Sequence, residues 1–102
     1  MKGLRRKEYP DGKFTLAFLG YGNETENTVL KLTYNWGKEH YEMGNAFGHI
    51  AIKVDDVYQA TEQIQEQGGN SLRDAGPMNA GITIIAFVEV PDGYPIELIG
   101  KR

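Results

Sequence analysis

Two side chains, His49 and Glu97, have the chemistry to hold a divalent cation or to move a proton. An imidazole titrates near neutral pH and is the commonest metal ligand. A carboxylate ligates metals and serves as a general base. Nearly half the chain separates the two, so only the fold can bring them together. Both stand in alternating text: His49 runs into Ile50, Ala51 and Ile52, and Glu97 lies between Ile96 and Leu98. Side chains along a strand alternate faces. His49 and Ala51 therefore point away from Ile50 and Ile52, and Glu97 away from its apolar neighbours. Two readings follow. Either both project into one concavity as half of a divalent-metal site, or His49 hydrogen-bonds a neighbour while Glu97 faces water.

The elements that must position them can be read in order. Residues 1–12 are basic and then turn-like, ending in Tyr9-Pro10-Asp11-Gly12. Residues 13–20 alternate as a strand, with Phe14, Leu16 and Phe18 on one face. Residues 28–34 form another, with Val29, Lys31 and Thr33 on one face; a mid-strand lysine marks that face as solvated or ion-paired. Residues 35–46 read as a loop carrying Trp36 and Tyr41. Residues 48–54 are the strand that carries His49. Asp55 then caps a helix with Val57, Ala60 and Ile64 on one face, and Gly68-Gly69 ends it. Strands follow at 70–74, 82–88 and 96–99, with a loop over Gly76-Pro77-Met78-Asn79-Ala80-Gly81 and a tight turn at Pro91-Asp92-Gly93-Tyr94. The order from residue 48 is β-α-β-β-β, after two or three strands and no helix.

Other chemistry-bearing residues read as ordinary. His40 lies in a loop and reads as a surface histidine. Gly20-Tyr21-Gly22 precedes no helix and is not a phosphate loop. With 102 residues the chain makes one small domain; 40% hydrophobic and 25% charged residues is a globular composition. The net charge of −3 does not favour bulk nucleic-acid or anionic-membrane binding. The basic cluster Lys2, Arg5, Arg6 and Lys7 reads as a solvated terminus. Without cysteine there is no disulfide, thiolate site or Cys nucleophile, which fits a cytoplasmic protein. No apolar run nears the roughly 20 residues of a membrane span.

The text Gly48-His49-Ile50-Ala51-Ile52-Lys53-Val54-Asp55-Asp56, followed by Ala86-Phe87-Val88-Glu89-Val90-Pro91-Asp92-Gly93-Tyr94-Pro95-Ile96-Glu97-Leu98, resembles glyoxalase I of the vicinal oxygen chelate superfamily. Phe14-Thr15-Leu16-Ala17-Phe18-Leu19-Gly20-Tyr21-Gly22, Leu32-Thr33-Tyr34-Asn35-Trp36-Gly37 and Gly76-Pro77 look like its short bacterial form, in collinear order over nearly the whole chain. The resemblance implies an α+β fold of paired βαβββ modules. Residues 1–46 would be the first module, reduced to its strands, and 47–102 a complete second module, together one compact domain. It implies a homodimer, with modules exchanged between chains. It also implies lactoylglutathione lyase activity on the hemithioacetal of methylglyoxal and glutathione, at a Ni²⁺, Co²⁺ or Zn²⁺ centre. His49 matches a metal ligand, Glu97 a ligand that also carries the proton, and Asn35 a glutathione contact.

Three departures bear on that implication. The opening strand and helix of the family, with a histidine ligand and an arginine, would precede Met1. A glutamate ligand falls at Lys31, where an ammonium opposes a cation. A loop lysine falls at Asn79, where a cation would meet substrate carboxylate. The readings are thus an enzyme impaired by two lost ligands, a noncatalytic small-molecule-binding or dimerisation module on the same fold, or an incomplete reading frame.

Overall fold

A computed structural model describes residues 1–79 and 81–101; Ala80 and Arg102 lie outside the described residues. The chain divides into two compact units, Met1–Glu42 and Met43–Arg102.

The first unit is an antiparallel sheet in the order β1-β2-β3, with β1 Lys2–Tyr9, β2 Phe14–Gly20 and β3 Val29–Asn35. The sequence suggests no strand over 2–9, because that stretch lacks apolar alternation. It nevertheless pairs along its length with β2, from Lys2 opposite Gly20 to Tyr9 opposite Phe14, with an irregularity between Gly3 and Arg5. Backbone pairing at a sheet edge tolerates charged side chains. Lys13, at φ 56°, closes the turn by donating its N–H to the Pro10 carbonyl at 3.2 Å. Asn35 ends β3 rather than opening the loop.

The second unit is a four-stranded sheet ordered β4-β7-β6-β5, comprising β4 Ile50–Lys53, β5 Asn70–Pro77, β6 Thr83–Glu89 and β7 Pro95–Lys101. β4 runs parallel to β7, and the other pairs are antiparallel. Helix α1, Val57–Glu66, carries the chain from one edge of the sheet to the other. Alternation decides the two faces. Ile84, Ala86, Val88 and Leu98 pack with Val57 of the helix, with Ile52, Ala60, Ile64 and Ile96 around them. The opposite face is the more open of the two and carries the odd-numbered residues of β4, β6 and β7, among which only Ile85 is buried.

The helix cap is Asp56, not Asp55: its Oδ1 accepts from the Gln59 N–H at 3.0 Å. At the other end Gly68, φ 90°, donates to the Gln65 carbonyl, and Gly69 donates to that of Ile64 at 2.8 Å. This is a left-handed glycine cap that uses two otherwise free carbonyls. Asp56→Ala should cost about 1 kcal/mol, read as a lower urea midpoint with an unchanged slope, whereas Asp56→Asn should not. Gly76 and Pro77, expected in a loop, extend β5 instead; β5 is an edge strand, where proline is tolerated.

Candidate functional site

The site is assembled from the second unit's open face. Pairing places Ala51 of β4, Glu97 of β7, Phe87 of β6 and Arg73 of β5 in one cross-strand row. His49 sits one residue before β4 starts, yet shares the parity of Ala51 and falls on the same side. The His49 Nε2 lies 3.0 Å from Glu97 Oε1. Its ring meets the Phe87 ring edge-on, with centroids 5.0 Å apart at 87°. Phe87 fixes the imidazole plane and the carboxylate fixes its rotation. The His49 side chain is 41% exposed and that of Glu97 only 13%. The carboxylate is therefore largely shielded by protein while the imidazole opens to solvent. The two side chains converge, with His49 contacting Glu97 rather than another neighbour and Glu97 turned from water.

Phe87 was not singled out from sequence. The signal lies in the pattern: alternation along 83–89 puts Phe87 opposite Glu97 once β6 and β7 pair. Arg73 extends the row but is occupied, since its guanidinium donates to the Ile85 carbonyl at 3.0 Å and the Pro77 carbonyl at 3.3 Å.

Imidazole nitrogen and carboxylate oxygen suit Ni²⁺, Co²⁺ or Zn²⁺ in type. In number they fall short: among the described residues no third His, Cys, Asp or Glu joins them. The described residues thus fit part of a coordination sphere and not a whole one.

The remaining expected residues belong to other elements. Asn35 is in the first unit, its amide donating to the Tyr41 hydroxyl at 2.8 Å. Lys31 is exposed on β3, directly opposite Phe18. Trp36 is an anchor: its indole N–H donates to the buried Thr15 hydroxyl at 2.8 Å. Trp36→Phe should cost about 1 kcal/mol in denaturant titration. Asn79 is exposed in the left-handed region at φ 58°, a conformation asparagine accepts better than most residues. His40 is exposed in a loop.

Comparison with known proteins bears on the family and the fold. The model of the Glyoxalase/Bleomycin resistance protein/Dioxygenase superfamily matches residues 4–98. A lactoylglutathione lyase of Neisseria meningitidis is 64% identical over 102 residues, all of this chain and 74% of that protein. One from Salmonella typhimurium is 62% identical over the same span, 76% of its length. Glyoxalase I from Zea mays superposes with a TM-score of 0.93 at 50% identity, over 99% of this chain. The chain spans 36% of the length of that maize protein.

Proposed function

The chain belongs to the glyoxalase/bleomycin resistance protein/dioxygenase superfamily, and on that premise we propose that it is a glyoxalase I-type lyase. It would convert the methylglyoxal–glutathione hemithioacetal to lactoylglutathione. The single observation that carries this reading is the His49–Glu97 pair, set at 3.0 Å on one open sheet face of that fold. Glu97 is the proton carrier. Its carboxylate takes the proton from the sulfur-bearing carbon and returns it to the adjacent one. A C–H bond breaks at the sulfur-bearing carbon and one forms at its neighbour, while the hydroxyl proton passes from the first carbon's oxygen to the second's, so the net change is a redox-neutral isomerisation. His49 holds the carboxylate in orientation and faces the entering substrate, and Phe87 keeps the imidazole from turning. A divalent ion, where bound, would be held here by His49 and Glu97 and would supply stabilisation of negative charge developing on substrate oxygen.

The same proposal assigns residues 1–46 to a first module and 47–102 to a second, gives Asn35 a glutathione contact, and places the protein as a homodimer in the cytoplasm. Lys31 and Asn79 are positions where family chemistry is altered. Lys31, with only two donors gathered, favours a second reading: a noncatalytic binding module on this fold. The assay is direct. Purified protein is offered hemithioacetal with Ni²⁺, Co²⁺ or Zn²⁺ in turn, and thioester formation is followed. Product supports the lyase. Folded protein that turns over with none of the three ions rejects it, and calorimetry with glutathione then distinguishes a binder from an inert scaffold.

A further inference from the structure

The first unit's sheet has an apolar face that its own elements do not cover. Register places Leu30, Leu32 and Tyr34 of β3, Thr15, Ala17 and Leu19 of β2, and Gly3, Arg6 and Glu8 of β1 on the same side. In the second unit helix α1 packs on the apolar side of the sheet. The first unit holds three strands and no helix. Leu32 and Tyr34 stand 47% and 52% exposed. Apolar side chains at alternate strand positions are the pattern of a sheet that meets a second layer.

The two edges of this face differ in relief. β3 raises Leu30, Leu32 and Tyr34. β1 offers Gly3, which has no side chain, and then Arg6 and Glu8, opposite in charge and 3.9 Å apart. A shallow concavity bordered by Gly3, Leu4, Arg6, Ala17 and Leu19 lies between β1 and β2. The rows run Gly3-Leu19-Leu30, Arg6-Ala17-Leu32 and Glu8-Thr15-Tyr34. A two-fold axis parallel to the strands, running above β2, lays each row on its own copy reversed. Leu30 then falls over Gly3 of the second copy, Leu32 over the stem of its Arg6, and Tyr34 beside its Glu8. The Tyr34 hydroxyl accepts from the Gly37 N–H at 3.3 Å, which leaves its own O–H free to donate to that carboxylate. Every contact occurs twice, as an isologous interface requires, and the strands stay aligned as stacked sheets prefer.

Charge selects this side. Arg6 and Glu8 bring no net charge to it, whereas the reverse side presents Lys7 and Lys31, where two copies would repel. Three strands of about seven residues span roughly 14 by 23 Å. Two such faces bury on the order of 1,000 Å², the low end for specific association.

We propose that a second copy of this chain docks on this face, sheet on sheet, with β3 of each copy over β1 of the other. The proposal gives the homodimer of the reading above its surface and rests on that part of the reading alone; the lyase chemistry does not enter.

Sedimentation equilibrium of the full chain should show monomer and dimer in exchange, with a dissociation constant of roughly 10–100 μM. On dilution, amide NMR shifts should gather at Gly3, Ala17 and Leu32, a readout that needs no variant. Leu32→Arg sets a cation over Arg6 of the second copy and should weaken the dimer by about tenfold or more. Adding Arg6→Glu to the same chain should restore most of that loss. Both positions are exposed, and an unchanged circular dichroism spectrum shows the fold retained. A chain that stays monomeric up to about 1 mM, dilution shifts confined to other residues, a dimer that Leu32→Arg leaves intact, or a double variant no tighter than the single would each overturn the proposal. An intact Leu32→Arg dimer would keep the homodimer and move it to another surface. Hemithioacetal turnover is measured separately and tests the lyase reading by itself.

Discussion

Replacing Glu97 by glutamine is expected to lower hemithioacetal turnover by roughly 10² to 10⁴-fold, the usual worth of a positioned general base. Glutamine matches the carboxylate in size and can still accept a hydrogen bond from His49. The fold should therefore survive, and the Phe87 contact with the imidazole should stay. What is lost is the ability to take a carbon-bound proton and the anionic oxygen that would help hold a divalent ion. Substrate contacts are untouched, so kcat and kcat/KM should fall together while KM stays within a few-fold, the signature of an interaction made only in the transition state. A variant that keeps wild-type kcat would remove Glu97 from the chemistry. Glu97→Asp would retain a base with shorter reach, and should lie between the two.

The largest stability effect is expected at Gly100. This residue is buried in β7, where the end of β4 and the start of α1 cross it. A Cβ there would stand 2.6 Å from the Val54 carbonyl oxygen and 3.1 Å from Val57 Cγ2. The first obstacle is backbone and cannot rotate away. The Val54 N–H, moreover, donates to the Ile99 carbonyl at 2.9 Å, which ties that backbone to β7 itself. Gly100→Ala should therefore cost about 1–3 kcal/mol, the usual penalty for overpacking. The midpoint of urea unfolding should drop with little change in slope. Gly68→Ala, at φ 90° with open space around it, is strained for a conformational reason instead and should cost about 1 kcal/mol.

The pair at the centre was legible because two simple rules suffice for it. Alternation put His49 and Glu97 on the faces opposite their apolar neighbours, and the β-α-β-β-β order allowed the first and last strands to be neighbours. The parallel β4–β7 pairing, with Ala51 opposite Glu97, realises both. What could not be read are features that depend on pairing. β1 has no apolar stripe; it exists because β2 offers it a backbone partner. Phe87 acquires its role only through its register with Glu97. The cap falls on Asp56 because that residue takes an extended backbone, φ −132°, ψ 102°, which the adjacent aspartates do not reveal in sequence. The same holds for the basic N-terminal cluster. Read in line it is a solvated terminus; folded, its residues divide between two faces, and one division collects Lys31 from β3.

The most direct measurement is a Zn²⁺ titration of the full chain observed at the imidazoles, since there are only two histidines. If His49 and Glu97 are the functional pair, the His49 nitrogen signals should respond while those of His40 do not. The response should saturate weakly, as two donors allow, and Glu97→Gln should weaken it by about tenfold, in line with loss of a ligand or of its orientation. A response centred on His40, or one at His49 that Glu97→Gln leaves unchanged, would contradict the assignment of this pair as the centre of the site.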